Sequence, residues 1–432
     1  MALCLPFSTA LTLIFSTFGV LFGLLGFDWG AFKKVMRSPI AIVSVALFAW
    51  LALSMVWSVA PGDELTEGIS KYRKLLYVPL VAMLLVSTRV KPWLLMNFFV
   101  VGCLVVCLGS LSSSSGLLEH LIGPQLAGGG WGLGGTPSKY WFYIGPPEAP
   151  TFGRAHIAQG AFLVISAVYL AGVLLHRFTD CAETAFDLRS VAIFLAIVTM
   201  VLVALNLGGR TGYLLLVAGA ILWVLKMLQA RHWRLALGLS LSSLVIVAGF
   251  VGMNPKVIDR TQAAITDVER YQESGALTSQ GLRLRFWEAG IRMGLERPLQ
   301  GWGVGSYAEV FARDESQPQE LRWSRPHPHS EYVLQLVQGG GVAFLLFTGL
   351  GFLVAATVFR MKFQRGDSAQ GATGILSVAA ILLLIDGGFN SVIWDLAEGH
   401  AFVFLLGSVV AGALTINVCR GERLGEEVIK WE

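Results

Sequence analysis

The chain has 432 residues, 55% hydrophobic and only 14% charged, with a formal net charge of +4. A mean hydropathy of +0.66 excludes a soluble domain of this size. The small positive charge gives nucleic-acid binding no electrostatic support. What remains is a helical membrane protein of many spans, because apolar stretches of about 20 residues recur along the chain.

In chain order the apolar stretches fall near 5–26, 39–57, 75–88, 93–111, 155–175, 190–207, 211–228, 235–252, 331–358, 372–391 and 399–417. The first region fits one span or two short helices, so eleven or twelve spans are predicted. The start, Met1-Ala2-Leu3-Cys4-Leu5, lacks a basic segment, so no cleaved signal peptide is expected. Cys103 and Cys107 lie one helical turn apart on an apolar stretch and read as small packing residues. No Cys-x-x-Cys and no acidic cage is present, so no metal site and no cofactor are expected.

Short basic loops set the orientation. Lys33-Lys34, Arg89-Val90-Lys91, Lys226 to Arg234, Arg360-Met361-Lys362 and the tail around Arg420 and Arg423 all fall on one side if the spans alternate. That side is expected to be cytoplasmic. The opposite side then carries the loop 60–74, the Gly-rich loop 112–154 and the long polar segment 253–328. Three regions follow: the N-terminal spans 1–252, the large loop 253–328, and the C-terminal spans with a short tail 329–432. Within the large loop, helices are predicted at Ile258 to Glu273 and Leu282 to Glu296. A turn rich in helix breakers follows, Arg297-Pro298-Leu299-Gln300-Gly301-Trp302-Gly303-Val304-Gly305.

The residues able to do chemistry gather on that second side. Arg210 follows Gly208-Gly209 and opens a span, where free N–H groups and the helix dipole favour an anion. It reads either as an anion contact or as an arginine snorkelling at the interface. On the helix 282–296, Arg285, Glu288, Arg292 and Glu296 share a face at spacings that suit mutual ion pairs. Arg283 lies opposite, with Trp287, Gly290 and Gly294, and is the arginine that points at protein or ligand. Arg154 and His156 precede a span on the same side, and Lys71 begins another; each is a ligand contact or a membrane anchor. The last group is Arg325-Pro-His-Pro-His-Ser-Glu-Tyr, where His329 stands near a helix start and His327 is held between prolines. An imidazole exchanges protons near neutral pH. His329 is therefore read as catalytic or ligand-contacting. Tyr332 follows it on the same helix face. Asp386 lies within an apolar stretch and needs a partner.

Four motifs, in order and facing one side, carry a resemblance. They are Gly209-Arg210-Thr211-Gly212, Arg283-Leu284-Arg285-Phe286-Trp287, Pro298 to Gly305, and His329-Ser330-Glu331-Tyr332 followed by Gly339-Gly340-Gly341-Val342. Together they resemble those of the bacterial O-antigen ligases of the WaaL type, within a group that also holds O-antigen polymerases and protein O-oligosaccharyltransferases. Ser330 departs from the asparagine usual in that family. The resemblance implies an all-α, GT-C-like transmembrane bundle with one large periplasmic helical loop, in the bacterial inner membrane. It also implies an inverting, metal-independent glycosyltransferase. The donor would be O-antigen linked to undecaprenyl diphosphate, and the acceptor lipid A-core oligosaccharide, both approached from membrane lipids. On this reading His329 is the base and Arg210 the main diphosphate contact. Arg283 is a second contact; Arg154, His156, Lys71, Arg285, His327 and Tyr332 are further binding residues. A polymerase, a protein O-oligosaccharyltransferase, and a lipid or anion transporter are the alternatives.

Overall fold

The computed structural model describes residues 1–115, 130–131, 142–143, 151–152, 156–180, 187–207, 209–234, 255–324, 327–361 and 368–429, with residues 237, 238, 241 and 249 besides. Sixteen α-helices are named in chain order. The first nine are α1 (Thr9–Leu25), α2 (Trp29–Val35), α3 (Pro39–Leu53), α4 (Gly62–Tyr72), α5 (Tyr77–Thr88), α6 (Pro92–Ser114), α7 (His156–Asp180), α8 (Leu188–Leu207) and α9 (Arg210–Gln229). The large loop supplies α10 (Pro255–Ser274), α11 (Ser279–Glu296), α12 (Tyr307–Arg313) and α13 (Gln319–Trp323). The chain closes with α14 (Glu331–Arg360), α15 (Ser368–Asp386) and α16 (Leu396–Ile429). The only strands among the described residues are two residues each, Gly130–Trp131 paired antiparallel with Phe142–Tyr143 inside the Gly-rich loop. The protein is an all-α, polytopic helical bundle.

Among the described residues, eight helices are long and apolar enough to cross a membrane, or nine if α1 and α2, bent by 112° across Gly26 to Asp28, form one broken span. The predicted span 75–88 yields a helix of 12 residues, α5, which at ~1.5 Å per residue is too short to cross ~30 Å of hydrocarbon alone. Arg89, at φ 54°, stops it. Most of the span predicted at 235–252 lies outside the described residues. The polar loop folds into four helices, two more than its sequence pattern predicts; the extra pair, α12 and α13, are 7 and 5 residues long. Such short helices leave no readable periodicity.

Local signals explain where the helices begin. Pro39 and Pro92 occupy first turns, where the missing N–H costs nothing. Ser330 caps α14, its hydroxyl accepting from the Val333 N–H at 3.5 Å. The centre of the bundle is formed by α7, α15 and α16, whose membrane segments are the most deeply buried. Leu376, Leu382, Leu406 and Val409 are fully enclosed there.

The large loop is fastened to the bundle through backbone. At Gly340 the helix α14 is broken, with φ 63° and ψ −161°. This conformation is open to glycine alone. The turn 297–305 lies in the break. Trp302 N–H donates to Val337 O and Gly303 N–H to Gln338 O, each at 2.8 Å, and Gly341 N–H donates to Pro298 O at 2.7 Å. The segment just past α3, residues 54–58, seals the other side of the turn. Trp57 Nε1 donates to Gln300 O at 3.2 Å, Ser58 Oγ to Val304 O at 2.8 Å, and Val304 N–H to Ser54 Oγ at 3.0 Å. Gly301, Gly303 and Gly305 all have positive φ in this turn.

This geometry predicts a sharp contrast between two glycines of α14. Gly340→Ala places a Cβ against the Leu299 carbonyl in a backbone region that side chains avoid. It should cost at least about 2 kcal/mol. Gly349→Ala meets nothing within 4 Å and should gain up to ~1 kcal/mol from helix propensity. Thermal unfolding of both variants in detergent measures the difference.

Candidate functional site

Three helix starts and one loop meet on one face of the bundle. Gly209, the cap of α9, lies within 4 Å of the first residues of α7, so the two N-termini stand side by side. Arg210 opens α9 and His156 opens α7. Above them, α11 packs along the first turns of α14, with Gly290 against Val333 and Gly294 against Leu336. A larger side chain at either glycine would push the two helices apart.

Arg283, on the first turns of α11, is the centre of the cluster. Its guanidinium is half-buried, and its charged form is disfavoured by burial and then by the facing Arg210. Asp386, at the end of α15, acts in the opposite direction. Among the described residues Arg283 forms no ion pair within 4.0 Å and no hydrogen bond. An arginine keeps its charge at any accessible pH, so this is a cation presented without a fixed counter-ion. Arg210 is held loosely, with Nη1 at 3.9 Å from Asp267 Oδ2 of α10.

His329 is the next neighbour. It occupies the left-handed region at φ 49°, a conformation that costs a non-glycine residue about 1 kcal/mol or more. What holds it there is His327. The His329 N–H points to His327 Nδ1 at 3.4 Å, and Ser391 Oγ lies 3.0 Å from the same nitrogen. The backbone contact makes Nδ1 the acceptor, so Ser391 donates and the His327 proton is assigned to Nε2. Burial lowers the His327 pKa to about 3, with His329 and Lys71 adding to the effect. His327 is therefore a neutral, fixed ring. Trp287 Nε1 donates to Pro328 O at 2.8 Å and pins the residue between the two histidines. The His329 ring is left exposed towards Arg283. Burial, then the Arg283 charge, lower its pKa from the usual 6.5, so it is a neutral base at pH 7.

Beneath the histidines, Glu331 ties three elements together. Its side chain is fully buried. Oε1 accepts from Tyr72 Oη at 3.2 Å and Gln335 Nε2 at 2.7 Å; Oε2 accepts from Ile393 N–H at 2.9 Å and Trp394 N–H at 3.4 Å. The loop 390–395 is thereby set so that Ser391 meets His327 and Trp394 lies 5.3 Å from its ring. Lys74 Nζ, donating to Asp395 O at 2.7 Å, fastens the far end of the loop. The sequence offered no mark for Glu331 beyond its place after His329 and Ser330. The same holds for Ser391 and Asp267. A buried carboxylate becomes visible only once its four donors are assembled.

The remaining sequence-derived residues are distributed as follows. Lys71 stands over the Trp394 ring at 5.8 Å and pairs with Glu67 at 3.4 Å, at the edge of the histidine cluster. His156 is exposed on the same face, at the start of α7. Arg154 lies outside the described residues. Arg285 is turned towards α10, with Nη2 donating to Gly275 O at 3.3 Å and its guanidinium 5.8 Å from the Tyr271 ring. Tyr332 points into the bundle, its hydroxyl donating to Leu384 O at 3.1 Å and its ring 4.8 Å from Phe347. The face of α11 expected to pair within itself finds other partners. Glu288 accepts from Tyr271 Oη at 2.6 Å, and Arg292 pairs with Asp314. Neighbouring loop segments come closer than the i,i+4 positions do.

The imidazole cluster predicts an NMR titration. His329 should titrate below the ordinary 6.5, and His327 should stay neutral throughout the range in which the protein is folded. Removing a positive neighbour eases protonation. Arg283→Ala should therefore move the His329 pKa upwards, while Arg285→Ala, turned away, should leave it in place.

Residues 194–348 match the family model described as O-antigen ligase. No curated protein matches the chain. The matched segment contains Arg210, Arg283, the turn 297–305 and His329, the residues that the fold brings to one face. Over that segment, about a third of the chain, the protein is similar to the O-antigen ligases, which supports a place in the O-antigen ligase superfamily.

Proposed function

We propose that the protein joins O-antigen polysaccharide to lipid A-core oligosaccharide, taking the glycan from undecaprenyl diphosphate on the periplasmic side of the bacterial inner membrane. The observation that supports this most directly is that Arg283, a cation without a fixed counter-ion, lies close enough to feel Arg210 and to act on the exposed His329. A transferring glycan needs both kinds of group together: an anion site for the leaving group and a base for the acceptor.

In the reaction, the bond between the anomeric carbon and the diphosphate oxygen breaks as the acceptor hydroxyl oxygen bonds to that carbon from the opposite side. The configuration inverts and no covalent enzyme intermediate forms. The hydroxyl proton passes to the neutral His329 ring and then to solvent. The electron pair leaves with undecaprenyl diphosphate. Arg210 and Arg283 stabilise the charge developing there with paired, charge-assisted hydrogen bonds. Asp267, at 3.9 Å from Arg210, is far enough to yield to the diphosphate. His327 and Glu331 keep His329 oriented. Two arginines at the leaving group make a divalent cation unnecessary.

The direct test is reconstitution of purified protein with lipid-linked O-glycan and rough lipopolysaccharide, read as a ladder on a gel. Ladder formation on the lipopolysaccharide, persisting in excess chelator, is expected. Lengthening of the lipid-linked glycan alone would make the protein a polymerase.

Two variants test the residue roles. His329→Ala should slow transfer by ~10²–10⁴-fold with donor binding largely kept, the usual range for loss of a general base, and His327→Ala should slow it much less. Arg210→Lys should lose most activity while still accumulating in the membrane, because lysine lacks the planar fork that holds two phosphate oxygens. Near-normal transfer by Arg210→Lys would reduce this arginine to an interfacial anchor.

A further inference from the structure

The corner where α11 meets the turn 297–305 exposes large apolar side chains in a segment whose composition is that of an aqueous loop. Leu295 is 66% exposed and Leu299 75% exposed. Ile291, one turn before Leu295 on the same stripe, is exposed as well. Nothing else in the described loop covers them.

The height of this corner follows from α14. From the break at Gly340 the helix runs without interruption from Gly341 to Arg360. Those residues at ~1.5 Å each make about 30 Å, the thickness of the hydrocarbon core. Arg360 is an exposed charge and marks one boundary. Gly340 then marks the other. The turn is bonded to that level, Gly341 N–H to Pro298 O at 2.7 Å and Trp302 N–H to Val337 O at 2.8 Å. The 3-10 turn that continues α3, Ser54–Val56, reaches the same level through the Trp57–Gln300 bond, and its Val56 is 82% exposed. On α14, just inside the break, Leu345 is 69% exposed. Leu299 therefore continues a lipid-facing belt formed by two membrane helices. Arg297, stacked on Trp302 with 3.9 Å to the ring centroid, sits beside it as an arginine and an aromatic ring do at a bilayer interface.

We infer that the 295–299 corner is a shallow membrane wedge, with Leu295 and Leu299 seated among the acyl chains at the boundary of the bilayer leaflet on the site side. The occupant is lipid, because the corner is level with the end of a hydrocarbon-length helix and continuous with the exposed faces of α3 and α14. The inference does not depend on the proposed reaction. Seated this way, the C-terminal end of α11 is fixed in height, and with it the helix that carries Arg283.

A site-specific probe tests it. In a background with the native cysteines replaced, a single cysteine at Leu299, and separately at Leu295, is labelled with an environment-sensitive fluorophore. The full chain is then reconstituted into phosphatidylethanolamine–phosphatidylglycerol vesicles. Ser274, exposed at the end of α10, is the aqueous reference. The wedge predicts blue-shifted emission at 299 and 295. It also predicts loss of that emission to lipids carrying a nitroxide high on the acyl chain, and little loss to iodide; Ser274 should show the reverse. Iodide quenching at both 295 and 299 would overturn the inference. So would a blue shift untouched by nitroxide lipid, which would mean that a second protein copy covers the corner.

Discussion

The architecture depends on one backbone contact, the seating of the turn 297–305 in the broken helix α14. A membrane helix can interrupt its own hydrogen bonds only where other groups replace them. Here the carbonyls of Val337 and Gln338 and the N–H of Gly341 are taken up by the turn. The contact is close because neither strand of it carries a side chain at the crossing. Gly301 and Gly340 face each other backbone to backbone. Through this contact the polar loop becomes a rigid part of the bundle, and Arg283, which it carries, acquires a fixed position relative to His329, which it does not.

Electrostatics at the site is arranged by opposition. Two arginines face each other, and the nearest carboxylates are held off. Asp267 touches Arg210 only at 3.9 Å, and Asp386 is buried with one oxygen bonded to Asn390 at 2.6 Å. Like charges in proximity are unfavourable until an anion arrives, so this arrangement favours an anionic ligand over a neutral one. Burial, and after it the Arg283 charge, disfavour protonation of His329. A single arrangement therefore combines an anion-attracting pair with a neutral imidazole, as the proposed transfer requires.

Strain and satisfaction are divided between adjacent residues. His329 is held in a left-handed conformation while its neighbour Glu331 receives four hydrogen bonds. The buried carboxylate is tolerable only because every donor around it is aimed at it. It fixes the loop that carries Ser391, Ser391 fixes His327, and His327 holds the backbone of His329. Ser330, which follows His329, serves as the cap of α14.

Sequence alone determined that this chain is an all-α membrane protein, because hydrocarbon forces runs of apolar residues that no other environment requires. It also separated the two arginines of α11, Arg283 and Arg285, onto different faces. Arg283 shares its side with glycines, and only small residues let α11 lie against α14. The breakers in 297–305 announced a turn. Tertiary structure decided the rest. A 12-residue α5 stands where a full span was predicted, since apolar composition reports burial in general and not lipid in particular. Glu288 and Arg292 of α11 bond instead to Tyr271 and Asp314, because partners distant in sequence lie nearer than those one turn away. Glu331, Ser391 and Asp267 were invisible beforehand for the same reason: each takes its meaning from groups tens to hundreds of residues away, brought within ~3–4 Å only by the fold.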